Sequence, residues 1–223
     1  MKFIDLTIGK YIIRHADAVV CVSETGKKWV METFWRKENI RVIYRWFEFP
    51  IVERVKNSIP KLGFVGRLTG LKNINGLIEA LSEIQDEKWN LEIVGDAEER
   101  QSLEYQVQSL WLASKIHFLG ARSHEWIMQE FYPSVDIFVN PSLQEWLPTT
   151  VIEALGMGCS VIATDVGGTR EIAGIKLIPS WDIESLKDAI LAGLKNLPDR
   201  TRQYTLPFSL ENMEENYREL FGK

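Results

Sequence analysis

Two glutamates flank a predicted helix start in the segment QEWLPTTVIEALGMG, residues 144–158. Glu145 precedes the start and Glu153 lies one turn beyond Thr149, so both carboxylates can reach one crevice. Ionised carboxylates accept strong hydrogen bonds from hydroxyl groups, which makes a sugar a natural partner for both acids. The residues alone leave an alternative for each: Glu145 as an acid that complements the helix dipole, and Glu153 as part of an exposed polar face.

The helix start between the two acids is a predicted anion site. Pro148 suits the first helical position, because it has no N–H to lose there. The amides of Thr149, Thr150 and Val151 then lack partners within the helix and point out of its start. Since the helix dipole favours negative charge at this end, we expect these amides to bind an anion.

A basic loop, GRLTGLKNING, is the second predicted anion site and follows the apolar run KLGFVG. Gly66 and Gly70 allow the backbone to approach a ligand closely. Arg67 and Lys72 bring two cations to a helix that is expected to begin at Asn73, and this combination suits a phosphate or diphosphate. A solvated basic loop is the alternative, because the chain has neither GxxxxGK[ST] nor a strand followed by GxGxxG.

A third loop, TDVGGTREI, follows the apolar run SVIA. Its two glycines precede a short predicted helix, for which Thr169 is the expected cap. We interpret this loop as a plain turn between a strand and a helix.

Composition excludes several classes of protein. The chain has 223 residues and a net charge of −5, which argues against the basic face that a nucleic-acid binder needs. Its three histidines and two cysteines lack metal-ligand spacing, and no Asp-x-Asp pair is present, so no metal site is expected. No apolar run has the length of a membrane-spanning helix and the first residues do not resemble a signal peptide, so we expect a cytoplasmic protein, with peripheral membrane contact left open.

Short β-branched runs alternate with longer amphipathic segments, which predicts an α/β fold with a doubly wound parallel sheet. The predicted strands cover residues 18–22, 41–44, 61–66, 91–95, 115–120, 136–140, 160–163 and 175–178. The predicted helices cover residues 7–15, 24–35, 74–86, 97–111, 124–132, 148–156, 168–173, 182–196 and 209–221.

The stretch RWFEFPIVERVKNSIP, residues 45–60, interrupts this alternation with two prolines and reads as a linker. The residues before it are too few for a stable doubly wound domain. They must therefore pack on the main unit, on a partner chain or on another copy of this chain.

An ordered set of segments resembles the donor-binding half of the retaining glycosyltransferases of family four, which have the GT-B architecture. The segments are FVGRLTGLKN, IVGDAEER, IHFLG, DIFVNPSLQEW and PTTVIEALGMGCSVIATDVGG. The resemblance covers about residues 60–222, and the pair Glu145 and Glu153 is similar to that family's Glu-x7-Glu signature. It implies a Rossmann-like doubly wound parallel sheet, the GT-B C-terminal domain, with a truncated N-terminal α/β segment.

The resemblance also implies domain limits. Residues 1–48 would be the remnant of the acceptor-side domain and 49–60 the linker. Residues 61–205 would form the nucleotide-sugar donor domain, and 206–223 the helix that crosses back to the acceptor side.

The resemblance implies a nucleoside-diphosphate sugar as donor and gives roles to individual residues. Arg67 and Lys72 would bind the donor diphosphate and stabilise it as the leaving group, with Gly66 beside them, and Glu145 would contact the transferred sugar. The implied reaction is front-face transfer with retention, in which cations and a helix dipole neutralise the leaving diphosphate. It needs no metal and no cofactor.

Further donor contacts follow from the same resemblance. Glu153 would accept hydrogen bonds from the ribose, and the amides of Thr149 and Thr150 would help to hold the phosphates. The base would lie near Ala121 and Arg122.

The sequence departs from the family at positions that commonly hold glycine, namely Trp35, Trp46, Trp111 and Trp146. Trp35 and Trp111 stand at predicted helix ends, where glycine would take the left-handed cap. The indole of Trp146, beside Glu145, would either fill the donor-sugar space or stack on the sugar.

The functional prediction is a retaining glycosyltransferase with most of the acceptor half missing from this chain. The acceptor, a glycan, lipid or protein, is not specified, and a partner chain or self-association would cover the incomplete half. A non-catalytic nucleotide-sugar binding module or a fragment is the alternative. No motif favours a GT-B epimerase or phosphorylase.

Overall fold

A computed structural model describes residues 6–197 and 208–222 of the chain. These residues form two compact units, one made of 6–48 with 208–222 and the other of 49–197. The boundary expected at residue 205 lies outside the described residues.

The bounds of the strands and helices, in chain order, are as follows. The strands are β1 (Val19–Cys21), β2 (Ile40–Val42), β3 (Lys61–Val65), β4 (Asn90–Val94), β5 (Ile116–Gly120), β6 (Ile137–Asn140), β7 (Ser160–Thr164) and β8 (Lys176–Ile178). The α-helices are α1 (Leu6–His15), α2 (Glu24–Phe34), α3 (Ile74–Ser82), α4 (Arg100–Ser109), α5 (His124–Trp126), α6 (Tyr132–Ser134), α7 (Thr149–Gly156), α8 (Ile183–Lys195) and α9 (Leu210–Phe221). Two 3-10 turns, Gly70–Lys72 and Gly167–Glu171, and a π-helix, Ile127–Phe131, complete the set.

The larger unit is built on a parallel sheet with the strand order β5-β4-β3-β6-β7-β8. The prediction of a doubly wound parallel sheet is confirmed. The direction of winding reverses between β3 and β6, so the loops that leave these two strands diverge and open a crevice at the carboxyl edge of the sheet.

Both faces of the sheet are covered, as the continuous apolar runs of its strands require. Side chains alternate along β6: Ile137 and Val139 join the buried cluster that contains residues of α3 and α8, while Phe138 meets Tyr132 of α6 on the opposite face. The fully buried Trp89 donates its indole N–H to Ile84 O over 2.8 Å and anchors the chain just before β4.

The smaller unit contains the parallel pair β1 and β2 with α1, α2 and α9. Its cluster of buried side chains includes Val30, Phe34 and Ile40. The N-terminus of α9 is capped by Ser209, whose hydroxyl accepts from the amide of Asn212, as the sequence predicts. Among the described residues, no helix is both long and apolar enough to span a membrane.

Two predicted helices are wrong in detail. Residues 124–132 do not form one α-helix, because the chain widens into a π-helix whose last amide bond joins Tyr132 N to Ile127 O. Residues 168–173 form a 3-10 turn, and Thr169 lies inside that turn instead of capping a helix. Its bonds run from Thr169 N to Val166 O and from Ile172 N to Thr169 O, which is the spacing of a 3-10 turn.

Residues 49–60 have neither helix nor strand, yet they are tied to the larger unit. The guanidinium of Arg54 donates to the carbonyls of Val135 and Met157. It also approaches the buried thiol of Cys159, where burial outweighs the cation and raises the pKa to about 11. Both cysteines are buried free thiols, which confirms their expected structural role.

We expect Arg54→Met to lower the free energy of unfolding by about 2–4 kcal/mol, because two carbonyls then lose a charged donor. Arg170→Met is the matched control. Arg170 makes an ion pair with Asp165 and is 60% exposed, so its loss should cost less than about 1 kcal/mol. Urea unfolding measures both variants, and equal costs would contradict the proposed anchoring of residues 49–60.

Candidate functional site

An ion pair joins the two loops that leave the switch point of the sheet. Lys72 ends the 3-10 turn after β3, and its Nζ lies 2.6 Å from Oε1 of Glu145 in the loop after β6. The side chains are 23% and 12% exposed, so water screens the pair only in part. The backbones of the same loops are joined by Leu143 N donating to Leu71 O over 2.8 Å.

A hydrogen-bond chain fixes the position of Glu145. Its Oε1 accepts from Asn140 Nδ2 at 3.5 Å, and Asn140 Oδ1 accepts from Ser142 Oγ at 2.6 Å. Thr164, at the end of β7, donates its hydroxyl to the carbonyls of Asn140 and Ser142. Glu145 therefore has a cationic partner from a neighbouring loop, which its alternative role as a helix-dipole acid does not require.

The glycines after β3 and β4 bring two further loops together. Gly66 N donates to Val94 O over 3.0 Å, and a Cβ on Gly95 would lie 1.8 Å from Gly66 O. Gly95 also has a φ of 139°, which a side chain rarely tolerates. Arg67, next to this contact, is exposed, and within the described part of the chain its guanidinium makes no hydrogen bond or ion pair.

The start of α3 differs from the prediction in its chemistry. Asn73 precedes the helix as expected, but its φ is 53° and its side chain makes no capping hydrogen bond. The 3-10 turn that holds Lys72 directly precedes it, because Asn73 N donates to Gly70 O instead. The turn thereby directs Lys72 towards the loop after β6.

The start of α7 corrects two expectations. Pro148 is the cap residue, with φ −76° and ψ 101°, and the helix begins at Thr149. The carbonyl of Pro148 accepts from the amides of Val151 and Ile152, so Val151 has no free N–H. Among the described residues, the amides of Thr149 and Thr150 have no acceptor and stay available to an anion.

Glu153 belongs to a second polar cluster. Its Oε2 accepts from the hydroxyl of Tyr132 at 3.0 Å, and its Oε1 lies 3.2 Å from Nε2 of His124. The side chain of Glu153 is only 12% exposed, so the alternative of an exposed polar face is wrong. Burial, with the nearby carboxylate of Glu153, raises the pKa of Tyr132 well above its ordinary value, so this hydroxyl stays protonated as a donor.

Sequence reasoning missed His124 and Tyr132. They lie 29 and 21 positions from Glu153, and no spacing rule connects such distant residues. The contact arises because α5 and α6 follow β5 and pack beside α7.

Ala121 and Arg122 lie exposed in the loop after β5. The guanidinium carbon of Arg122 is 5.2 Å from the ring centre of Trp126, a cation–π distance. Through His124 the loop is also close to Glu153. The predicted site residues thus form two groups, Lys72 with Glu145 and Glu153 with the region after β5, and α7 connects the groups.

The turn Gly167–Glu171 supports the loop that holds Glu145 and is more than a plain connection. Gly168 N donates to Trp146 O over 3.1 Å. A Cβ on Gly167 would lie 1.5 Å from Glu145 O, and the φ of Gly167 is 54°. The paired glycines after a strand were the only sequence signal of this close approach. The side chain of Trp146 is 42% exposed.

Within the described ranges, no group of three or more His, Cys, Asp or Glu side chains could hold a metal ion. The polar groups of the candidate site are two cations, two carboxylates and a helix start. These groups suit a ligand that has both an anionic part and hydroxyl groups.

The sheet order, together with the small parallel sheet, defines an α/β fold of the GT-B type whose large unit is Rossmann-like. The chain belongs to the family described as Glycosyl transferases group 1, whose family model matches residues 59–196. The resemblance found in the sequence is confirmed.

Curated relatives extend over nearly the whole chain. An uncharacterized glycosyltransferase of Methanocaldococcus jannaschii is 29% identical over 235 residues, 99% of this chain and 56% of that protein. The O-antigen biosynthesis glycosyltransferase WbnH of Escherichia coli is 28% identical over 236 residues, 99% of this chain and 64% of that protein. The chain therefore spans between about half and two thirds of the length of these relatives.

Solved structures show the same fold at lower identity. HepE of Anabaena in complex with UDP and glucose has a TM-score of 0.84 at 20% identity, covering 98% of this chain and 66% of that one. Sucrose-phosphate synthase from Thermosynechococcus elongatus has a TM-score of 0.81 at 24% identity, covering 97% of this chain and 61% of that one.

We expect Gly167→Ala to lower the free energy of unfolding by about 2–4 kcal/mol, because the new methyl overlaps the carbonyl of Glu145. Gly120→Ala is the matched control. Gly120 has a φ of 71°, but the nearest atom to its added Cβ is the tip of the flexible Arg100 at 3.3 Å, so only the backbone cost of about 1 kcal/mol applies. Denaturant unfolding compares the two, and a cost for Gly167→Ala no larger than the control would refute the close packing.

Proposed function

We propose that this chain is the donor-binding part of a retaining glycosyltransferase that transfers a sugar from a nucleoside-diphosphate sugar to an acceptor. The observation that carries the proposal is the Lys72–Glu145 ion pair across the switch point, with Nζ and Oε1 2.6 Å apart. It brings a cation for the diphosphate and a carboxylate for sugar hydroxyls into contact, at the edge where open α/β sheets bind their ligands.

The diphosphate would be bound by groups that have unused capacity. Arg67 has an unpaired guanidinium within the described residues, and Lys72 has donors left beyond its bond to Glu145. The amides of Thr149 and Thr150 add neutral donors at a helix start. Gly66 lets the backbone approach the phosphates without a side chain between them.

The nucleoside would lie along α7 towards the loop after β5. Glu153 accepts from Tyr132 and contacts His124, yet a carboxylate has about four acceptor positions, which leaves room for the ribose hydroxyls. Because the pKa of Tyr132 is raised, its hydroxyl keeps donating and holds the carboxylate in place. The base would stack near Ala121 and Arg122.

The proposed reaction is front-face transfer. The bond between the sugar's anomeric carbon and the diphosphate breaks, its electron pair stays on the phosphate oxygen, and the acceptor oxygen bonds to the same face of the sugar. The acceptor's proton passes to the leaving phosphate. Lys72, Arg67 and the helix start stabilise the negative charge as it develops on that oxygen.

The printed names of relatives support the donor class. HepE, which shares the fold, is described in complex with UDP and glucose, and the two curated relatives are described as glycosyltransferases. In this proposal residues 1–48 and 206–223 belong to the acceptor side, 49–60 link the two sides and 61–205 bind the donor. The acceptor is a glycan, lipid or protein, met in the cytoplasm or at a membrane surface.

A non-catalytic nucleotide-sugar binding module is the second candidate, because the chain spans 56% and 64% of the two curated relatives. Titration calorimetry with UDP-, GDP- and ADP-sugars, without metal, tests the donor site that both candidates share. Assays of sugar transfer and donor hydrolysis, with the chain alone and with candidate partner chains, separate them. Binding without any turnover would favour the module, and absence of binding to every donor would refute both.

We expect Lys72→Ala and Arg67→Ala each to weaken binding of the nucleoside diphosphate roughly tenfold or more, and to leave nucleoside binding almost unchanged, since each removes a charge-assisted contact to phosphate. Lys28→Ala removes the same charge from an exposed ion pair with Glu32 and should change neither affinity. Calorimetry with both ligands measures this. Equal losses for nucleoside and diphosphate would rule out the diphosphate role.

We expect Trp146→Gly to raise the affinity for the sugar donor by about tenfold and to leave the affinity for the free nucleoside diphosphate unchanged, because the indole next to Glu145 fills sugar space. Trp126→Leu, which alters an indole on α5 instead, is the control for nonspecific effects. A loss of donor affinity in Trp146→Gly would instead show that the indole stacks on the sugar.

A further inference from the structure

Three tryptophans have a backbone conformation that normally belongs to glycine. Trp35 ends α2 with φ 56°, Trp111 follows α4 with φ 61°, and Trp181 precedes α8 with φ 63°. The other non-glycine residues with positive φ in the described part of the chain are Asn39 and Asn73. Asparagine visits this region readily, whereas a bulky side chain there is an outlier.

Packing does not compensate for this conformation. The side chains of Trp35, Trp111 and Trp181 are 79%, 89% and 73% exposed. None of the three indoles makes a hydrogen bond or an aromatic contact with a described residue. A strained residue normally persists because its surroundings hold it in place, and here nothing does.

Other tryptophans in the same chain are well placed. Trp89 is 1% exposed, donates its indole N–H to Ile84 O, and lies under the ammonium of Lys115 at 4.6 Å. Trp29 packs edge-on against Phe34 with ring centres 5.3 Å apart. The chain thus contains tryptophans that the fold uses and tryptophans for which the fold offers a glycine position.

A shared binding surface does not explain the exposed group. Trp111 lies just before β5, at the amino edge of the parallel sheet, and Trp181 lies just after β8, at the carboxyl edge. Two indoles at opposite edges cannot form one patch for a membrane or a partner. Recruitment of a surface would also not require a left-handed backbone at each position.

We propose that residues 35, 111 and 181 are glycines in the protein made by its own cell, because a codon that the sequence renders as tryptophan is read there as glycine. UGA is the codon that fits, since alternative genetic codes assign it to either amino acid, whereas UGG would encode Trp29 and Trp89. Glycine adopts the left-handed region without strain and completes the helix end after α2 in the usual way.

The proposal has a consequence at the candidate site, and this part rests on the proposed function. Trp46 and Trp146 lack the left-handed backbone, but they occupy positions at which the family resemblance expects glycine. If residue 146 is read from the same codon, the cell's protein has no indole beside Glu145, and the sugar space there is open. Residue 146 would then be a position that permits donor binding by having no side chain.

Peptide sequencing of the protein isolated from its own cells tests the proposal directly. Trypsin releases WVMETFWR, residues 29–36, which contains a used tryptophan and a proposed glycine in one peptide. We expect tandem mass spectrometry to find tryptophan at 29 and glycine at 35. Glycine is likewise expected at 111 in QSLEYQVQSLWLASK and at 181 in LIPSWDIESLK, with tryptophan retained at 89 in WNLEIVGDAEER. Tryptophan at 35, 111 and 181 would overturn the proposal, and this result does not depend on whether the chain binds a donor.

A recombinant comparison tests the conformational argument separately. The triple variant Trp35→Gly, Trp111→Gly, Trp181→Gly should melt at a higher temperature than the parent, by roughly 2–4 °C for each relieved position. Trp89→Gly should melt lower, because it empties a buried site. A triple variant no more stable than the parent would contradict the assignment of these positions to glycine.

Discussion

The order of the parallel strands is the constraint on which the site depends. Because winding reverses between β3 and β6, the loops after these strands meet over a crevice, and Lys72 and Glu145 reach each other across it. Removing two charges from water is costly, and their attraction does not guarantee a net gain in stability. The pair therefore makes most sense as a preorganised arrangement, in which a cation and a carboxylate are held for a ligand that interacts with both.

Backbone contacts keep this arrangement in place more than side-chain packing does. Gly167 and Gly168 let the turn after β7 press against the carbonyls of Glu145 and Trp146, and Gly95 lets the loop after β4 press against Gly66. At each contact a methyl group would overlap a carbonyl oxygen. Glycine thus has two uses in this fold, close approach within the site and left-handed geometry elsewhere, and the exposed tryptophans conflict with the second.

The polar cluster around Glu153 extends the site along α7. Tyr132 comes from the widened helical segment after β5, and its buried hydroxyl stays protonated because burial raises its pKa. The π-helix that the helical periodicity did not predict therefore precedes the residue that orients a carboxylate. Such local irregularities are common at functional sites, since regular helix geometry fixes which side chains can meet.

The sequence by itself determined the α/β class, the parallel sheet and the three loops worth examining, because hydrophobic period and glycine or proline punctuation are local signals. It also picked out Lys72, Glu145 and Glu153, and an ordered set of motifs indicated the family. Only the tertiary structure decided that Lys72 pairs with Glu145, that Pro148 caps α7 and takes Val151 out of the anion site, and that His124 and Tyr132 meet Glu153. These facts depend on strand order and on contacts between residues far apart in the chain, which no local pattern encodes.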